Sequence, residues 1–167
     1  MKAIILAAGR GSRMKALTEN KPKCLVELRG KCLLDWQIEA LRGAGIFEIA
    51  IVTGYKRELL LDRGLKEFNN ERWMVTNMVR SLMCADSWLK ETKCIVSYSD
   101  IFYPSAAVHL LLKSREKLSI TYDPNWRDLW TKRFDNPLDD AESFKTNNNV
   151  LIEIGEKKPM QENIEAQ

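Results

Sequence analysis

The sequence predicts an α/β fold whose mostly parallel central sheet is covered by helices on both faces. Short apolar runs of strand length recur at residues 2–7, 48–53, 94–98 and 118–122. Longer amphipathic stretches at residues 32–41, 58–68, 78–89 and 105–117 lie between and after them and read as helices. Strand alternating with helix is the pattern of parallel strands, which need crossover helices and are buried on both sides. The chain has 167 residues, 45% hydrophobic and 29% charged, which suits one domain with an adequate core and excludes fibrous, disordered and multidomain readings.

Taken in order, residues 2–7 form a buried strand that runs straight into a glycine-rich loop. The helix at 32–41 places Leu33, Trp36, Gln37 and Ala40 near one face. From Asp123 to Asn149 the alternation lapses into aromatic, acidic and Asn-rich sequence, an expected excursion over the sheet edge where a second ligand would bind. Residues 150–154 resume a strand, and the charged tail that follows lacks a closing element. The expectation is a single domain over residues 1–167, truncated at its C-terminal end.

Charge narrows the function. The formal net charge is only +3, too slight for a nucleic-acid coat or a polybasic membrane anchor. Its distribution is uneven: residues 1–31 carry +6 and the remainder −3, so the N-terminal segment is the part suited to an anionic ligand. Cys24, Cys32, Cys84 and Cys94 form no CxxC pair and have no neighbouring His, which reads as reduced thiols in a cytoplasmic protein. The apolar run before Arg10 and Arg13 is too short for a signal peptide, and no stretch approaches the roughly 18 apolar residues of a membrane span. The lone histidine, His109, sits in an apolar helical run, which argues against a Ser-His-Asp or Cys-His hydrolase. Cys24, with no visible base, reads as a packed residue.

The loop Leu6-Ala7-Ala8-Gly9-Arg10-Gly11-Ser12-Arg13 is lined by small residues that let backbone N–H groups approach an anion. A dinucleotide fingerprint would want glycine where Met14 stands, and a Walker loop would end in Gly-Lys-Ser/Thr. What remains is Gly9-x-Gly11-x-Arg13 followed by Pro22-Lys23, two cations placed to flank a triphosphate. Further on, residues 94–98 form an apolar strand that leads through Ser99 to Asp100, either a metal carboxylate at the crevice beyond the strand or the cap of the next turn. Tyr122, Trp126 and Trp130 recur at four-residue spacing with Asp123 and Asp128 among them. That fits a cage for a cationic head group or, equally, a stripe plugging the core.

Residues 3–25, with LAAGRGSRMKALTENKPKCL, resemble the signature of the nucleotidyltransferase superfamily that joins phosphorylated metabolites to a nucleoside monophosphate. The following GKCLLDWQIEALRGAGIFEIAIVTGY is similar to the next helix and strand of that family, and the resemblance extends to about Tyr103. It implies a Rossmann-like three-layer α/β/α fold of the nucleotide-diphospho-sugar transferase type. It also implies that Leu6, Ala7, Ala8 and Gly9 seat the base and ribose, that Gly11, Ser12 and Arg13 hold phosphates, and that Lys23 touches the reacting groups. Arg13 and Lys23 are then the catalytic pair. Asp100 stands where the family binds Mg2+. The family's second carboxylate comes late in the chain, and nothing from Glu153 to Gln167 matches it; Asp139-Asp140 reads as a solvated turn.

Asn77-Met78-Val79-Arg80-Ser81-Leu82 resembles the N-x-x-x-S-L stretch of bacterial phosphocholine cytidylyltransferases, which would bring Asn77 and Ser81 to the nucleotide, although a helix start capped by Asn77 explains it too. The resemblance favours CTP as donor. The acceptor would be phosphocholine, another phosphorylated amino alcohol or a phosphorylated amino-acid amide destined for surface polysaccharide, with Tyr122, Asp123 and Trp126 as acceptor candidates. The alternatives are a sugar-1-phosphate nucleotidyltransferase using UTP, dTTP or GTP, and a noncatalytic nucleotide-binding module. Neither nucleic acid nor membrane is an expected partner, and self-association into a homo-oligomer stays open.

Overall fold

The computed structural model describes residues 1–155 and 159–167, the side chains of Ser12, Arg13 and Lys15 excepted. Strand β1 (Lys2–Leu6) lies at the centre of a parallel sheet, with β4 (Ile49–Thr53) on one side and β6 (Cys94–Tyr98) on the other. A fourth strand, β5 (Lys66–Asn69), extends the order to β5-β4-β1-β6. A central strand is covered on both faces, so β1 and β4 read as unbroken apolar runs rather than alternating ones.

The pleat sends Ala3, Ile5 and Ala7 to one face, where Leu34, Ile38 and Leu41 of helix α1 (Leu33–Gly43) and Val108 of helix α4 (Ser105–Lys113) cover them. Ile4 and Ala8 face the other way with Val52, beneath Leu82 of α2 (Met78–Met83), Ala85, and Trp88 and Leu89 of α3 (Asp86–Glu91). The result is a three-layer α/β/α unit comprising Met1–Ser114. A hairpin of β2 (Glu27–Leu28) and β3 (Lys31–Cys32) precedes α1 and turns through Arg29 and Gly30 at φ 53° and 77°.

Four local expectations are corrected. Residues 58–68 are not one helix: a 3-10 segment, Arg57–Arg63, stops at Gly64 in the left-handed region (φ 65°), and β5 follows, parallel to β4. Residues 78–89 split into α2 and α3 at Cys84 and Ala85, which lets both helices press on the same sheet face. Residues 118–122 form no strand: Leu118 is 86% exposed, and the extended backbone pairing falls just beyond, between Asp123 and Gln167. Helix α4 also ends at Lys113, short of the expected 117.

The second compact unit, Arg115–Gln167, contains α5 (Trp126–Arg133) and an antiparallel hairpin of β7 (Phe144–Asn147) and β8 (Val150–Ile154). The Asn-rich run supplies that hairpin's turn, with Asn148 and Asn149 at φ 50° and 62°. Trp126, Ala141 and Ile164 form its core with Trp130 and Leu138 against them. Among the described residues no helix is long and apolar enough to cross a membrane.

Candidate functional site

The site is built at the carboxyl ends of two adjacent parallel strands. β1 delivers Ala7 and Ala8, both buried, and the chain is tied there to the end of β4 by Ala7 N–H to Val52 O and Tyr55 N–H to Ala8 O, each 2.9 Å. Gly54 makes that approach close: a Cβ there would lie 2.6 Å from Ala8 O and 2.7 Å from Trp73 Cβ. The bend then opens outward. A Cβ on Gly9 would meet nothing within 4 Å, so this glycine leaves empty space rather than relieving a clash.

Gly11 occupies the left-handed region at φ 70° and precedes the 3-10 helix Ser12–Thr18. Its carbonyl accepts from Met14 N–H at 3.1 Å and from the buried Thr18 hydroxyl at 3.0 Å, which fixes the bend from inside. A Cβ on Gly11 would also press on Lys23 Cβ at 3.0 Å, so the residue combines backbone and packing requirements.

Lys23 opens a short 3-10 helix, Lys23–Leu25, preceded by Pro22 and anchored by the fully buried Cys24. Burial pushes the Cys24 thiol up to about 12, so it stays protonated and packs as an apolar group. From this anchor Lys23 Nζ donates to Asp100 Oδ2 at 2.8 Å. Asp100 stands in the turn after β6, where Leu6 is in register with Tyr98 and Ser99 N–H donates to Leu6 O at 3.2 Å.

Bend, lysine and carboxylate share a cleft of about 150 Å³. Leu6, Ala8, Gly9 and Gly11 line it from the bend, and Tyr98, Ser99 and Asp100 from the turn after β6. Met78 and Ser81 close it from α2. Asn77 caps α2, its side-chain oxygen accepting Arg80 N–H at 3.1 Å. The Ser81 hydroxyl accepts from the buried Asn70 amide at 2.9 Å and donates to Asn77 O at 3.3 Å, which ties the wall together. The side chains of Ser12 and Arg13 lie outside the described residues.

The remaining candidates belong to the second unit. Tyr122 is exposed with its ring 5.4 Å from Phe144, and Asp123 accepts the N–H of Asn125 at 2.8 Å. Trp126 is only 3% exposed and packs edge-on against Trp130 at 6.1 Å, the surroundings of a core plug. Asp139 and Asp140 lie in a short 3-10 turn capped by Asn136, and His109 is exposed on α4. Gly54, Asn70 and Gln37 were not legible as site residues. Asn70 carries no motif, and Gly54 and Gln37 lie in the stretch 30–55 that resembles the family without any role attaching to either there.

Asp100 is a single carboxylate, and among the described residues no group of three or more His, Cys, Asp or Glu could form a protein-only metal cage. A hard cation shared with substrate phosphates fits this donor set, because Mg2+ commonly takes one or two carboxylates and completes its shell with phosphate and water.

A glycine bend with a fixed cation and a carboxylate at the carboxyl edge of a parallel sheet defines an α/β protein whose cleft is suited to an anionic phosphate ligand. The MobA-like NTP transferase domain matches residues 3–129, and the chain belongs to that family. Over its whole length it is 44% identical to the CTP:phosphoglutamine cytidylyltransferase of Campylobacter jejuni, 70% of which it covers. The structure of the CTP:phosphocholine cytidylyltransferase of Streptococcus pneumoniae superposes on 63% of the chain with a TM-score of 0.56 and 35% identity; the match spans 49% of that enzyme. The inositol-1-phosphate CTP transferase of T. maritima covers 93% of the chain with a TM-score of 0.65 and 22% identity, a likeness of fold; 64% of that chain is matched.

Proposed function

We propose that the protein transfers the CMP group of CTP to a phosphorylated small molecule and releases pyrophosphate. The observation that carries this reading is the Lys23–Asp100 pair beside the glycine bend, a cation and a metal-competent carboxylate 2.8 Å apart at the mouth of a phosphate cradle. The similarity to the phosphoglutamine enzyme favours CTP, and among acceptors a phosphorylated amino-acid amide over phosphocholine or another phospho-amino alcohol. Such a product would serve as an activated precursor for surface polysaccharide.

A phosphate oxygen of the acceptor attacks the α-phosphorus; the bond from that phosphorus to the bridging oxygen breaks, and pyrophosphate leaves with the electron pair. The nucleophile is already ionised near neutral pH, so no general base is needed. The obstacle is repulsion between anions, and the protein's task is positioning and charge neutralisation. The backbone from Leu6 to Gly9 seats the nucleoside, Gly11 and Ser12 lie against the phosphates, and Arg13 holds the β and γ groups. Lys23 offsets charge near the α-phosphorus. Asn77 and Ser81 shape the α2 wall of the nucleotide site. Mg2+ held by Asp100 would supply Lewis-acid neutralisation of the phosphate oxygens. For the acceptor, the candidates remain Tyr122 and Asp123, with Trp126 supporting them from the second unit's core.

Pyrophosphate release measured for CTP, UTP, dTTP and GTP against phosphoglutamine, phosphocholine and glucose-1-phosphate tests the reading. The expected result is fastest release with CTP and a phosphorylated amide or amino alcohol. Faster release with a sugar-1-phosphate and another nucleotide would replace it by the sugar-nucleotide alternative. Magnesium-dependent nucleotide binding with no release for any acceptor would make the protein a binding module.

A further inference from the structure

Gln37 is fully buried in α1, an amide on a face otherwise made of Leu34, Ile38, Ala40 and Leu41. A buried amide is costly unless its hydrogen-bonding groups are satisfied, and here they all point to one place. Its Nε2 donates to Tyr98 O at 2.8 Å and to Ile101 O through a second, short bond. Its Oε1 lies 3.2 Å from the Ser97 hydroxyl, whose proton is shared between Oε1 and Tyr98 O at 3.1 Å and which accepts from Tyr103 at 3.1 Å. Tyr98 and Ile101 bracket the turn that carries Asp100. One side chain therefore holds both ends of the turn.

We propose that Gln37 is a positioning residue that aims the Asp100 carboxylate into the cleft and thereby sets its affinity for a nucleotide-bound divalent cation. This rests on the assignment of Asp100 as the metal carboxylate. Groups that orient a metal ligand from behind typically change metal affinity or activity by about ten- to hundredfold when removed. The Tyr98 and Ile101 carbonyls have no need of a glutamine for packing alone; an apolar side chain of equal length would fill the same space. What it would not do is fix the turn.

The test uses Gln37→Met, which keeps the volume, and Ser97→Ala, a milder change that releases Oε1 and one contact to the Tyr98 carbonyl while leaving both Nε2 bonds in place. Mn2+ binding in the presence of CTP is measured by electron paramagnetic resonance, beside thermal melting and crystal structures of the metal-free variants. Gln37→Met is expected to weaken Mn2+ binding about ten- to hundredfold while metal-free CTP binding holds, with the Lys23–Asp100 contact lengthened. Ser97→Ala is expected to move Mn2+ affinity in the same direction by less, and it carries the test if Gln37→Met does not fold. A lower melting temperature with wild-type Mn2+ affinity in the folded variants would overturn the proposal. Asp100→Asn separates the two levels: if it abolishes Mn2+ binding while the Gln37 and Ser97 variants bind normally, only the positioning role falls. Should Asp100→Asn itself bind Mn2+ as well as wild type, the metal assignment falls and takes the positioning role with it.

Discussion

Lys23→Ala or Asp100→Asn will each reduce pyrophosphate release by at least about a hundredfold, the scale of removing one electrostatic stabiliser from a transfer between anions. Both side chains are partly exposed, at 29% and 42%, so losing their mutual ion pair should cost the fold little. Activity and stability therefore separate cleanly. Melting temperatures should stay close to wild type while turnover collapses, and for Asp100→Asn raising Mg2+ should not restore it. Turnover near the wild-type rate in either variant would remove that residue from the mechanism.

Two glycines at the bend should respond in opposite ways to an added side chain. A Cβ on Gly54 would lie 2.6 Å from the Ala8 carbonyl and 2.8 Å from Trp73 Cγ, and neither a strand-end backbone nor a packed indole can step aside cheaply. Gly54→Ala is therefore expected to destabilise by about 1–3 kcal/mol, as overpacking does. Each kcal/mol lowers the melting temperature by roughly 2–4 °C in a chain of this size. An added Cβ on Gly9 meets nothing within 4 Å, so Gly9→Val should melt close to wild type. Its isopropyl group would instead occupy the space through which phosphate reaches the backbone, weakening CTP binding at least about tenfold, or 1.4 kcal/mol. Melting curves and CTP titrations of the two variants check the pair. Wild-type CTP affinity in a folded Gly9→Val would mean that the bend is not a phosphate cradle.

Much of the parallel core was legible because central strands bury both faces, and Ala3-Ile4-Ile5-Leu6 and Ile49-Ala50-Ile51-Val52 therefore appear as unbroken apolar runs. The glycine bend was legible for a related reason, since few functions other than close backbone approach favour so many small residues after a strand. The segment 58–68 misled because its apolar spacing fits a helix until Gly64, and only pairing with β4 reveals the strand beyond it. Residues 118–122 have strand composition but do not form a strand, because composition alone cannot supply a neighbouring strand to pair with. Lys23 and Asp100 were each picked out separately, but their contact spans 77 positions and follows from strand order, which no local pattern contains. Gln37 was hidden for the same reason. Its partners are backbone carbonyls 61 and 64 residues away, and a bond to a distant carbonyl leaves no periodic trace in the sequence. At Trp126 the four-residue spacing was compatible with a cage and a plug alike, and burial rather than spacing separates them.

A crystal structure of the protein with CTP and Mg2+ is expected to show the triphosphate on the backbone N–H groups between Gly9 and Gly11, with Lys23 turned from Asp100 toward phosphate oxygen and the Asp100 carboxylate facing the metal. Nucleotide bound elsewhere, with the bend free and the Lys23–Asp100 pair intact, would contradict this placement.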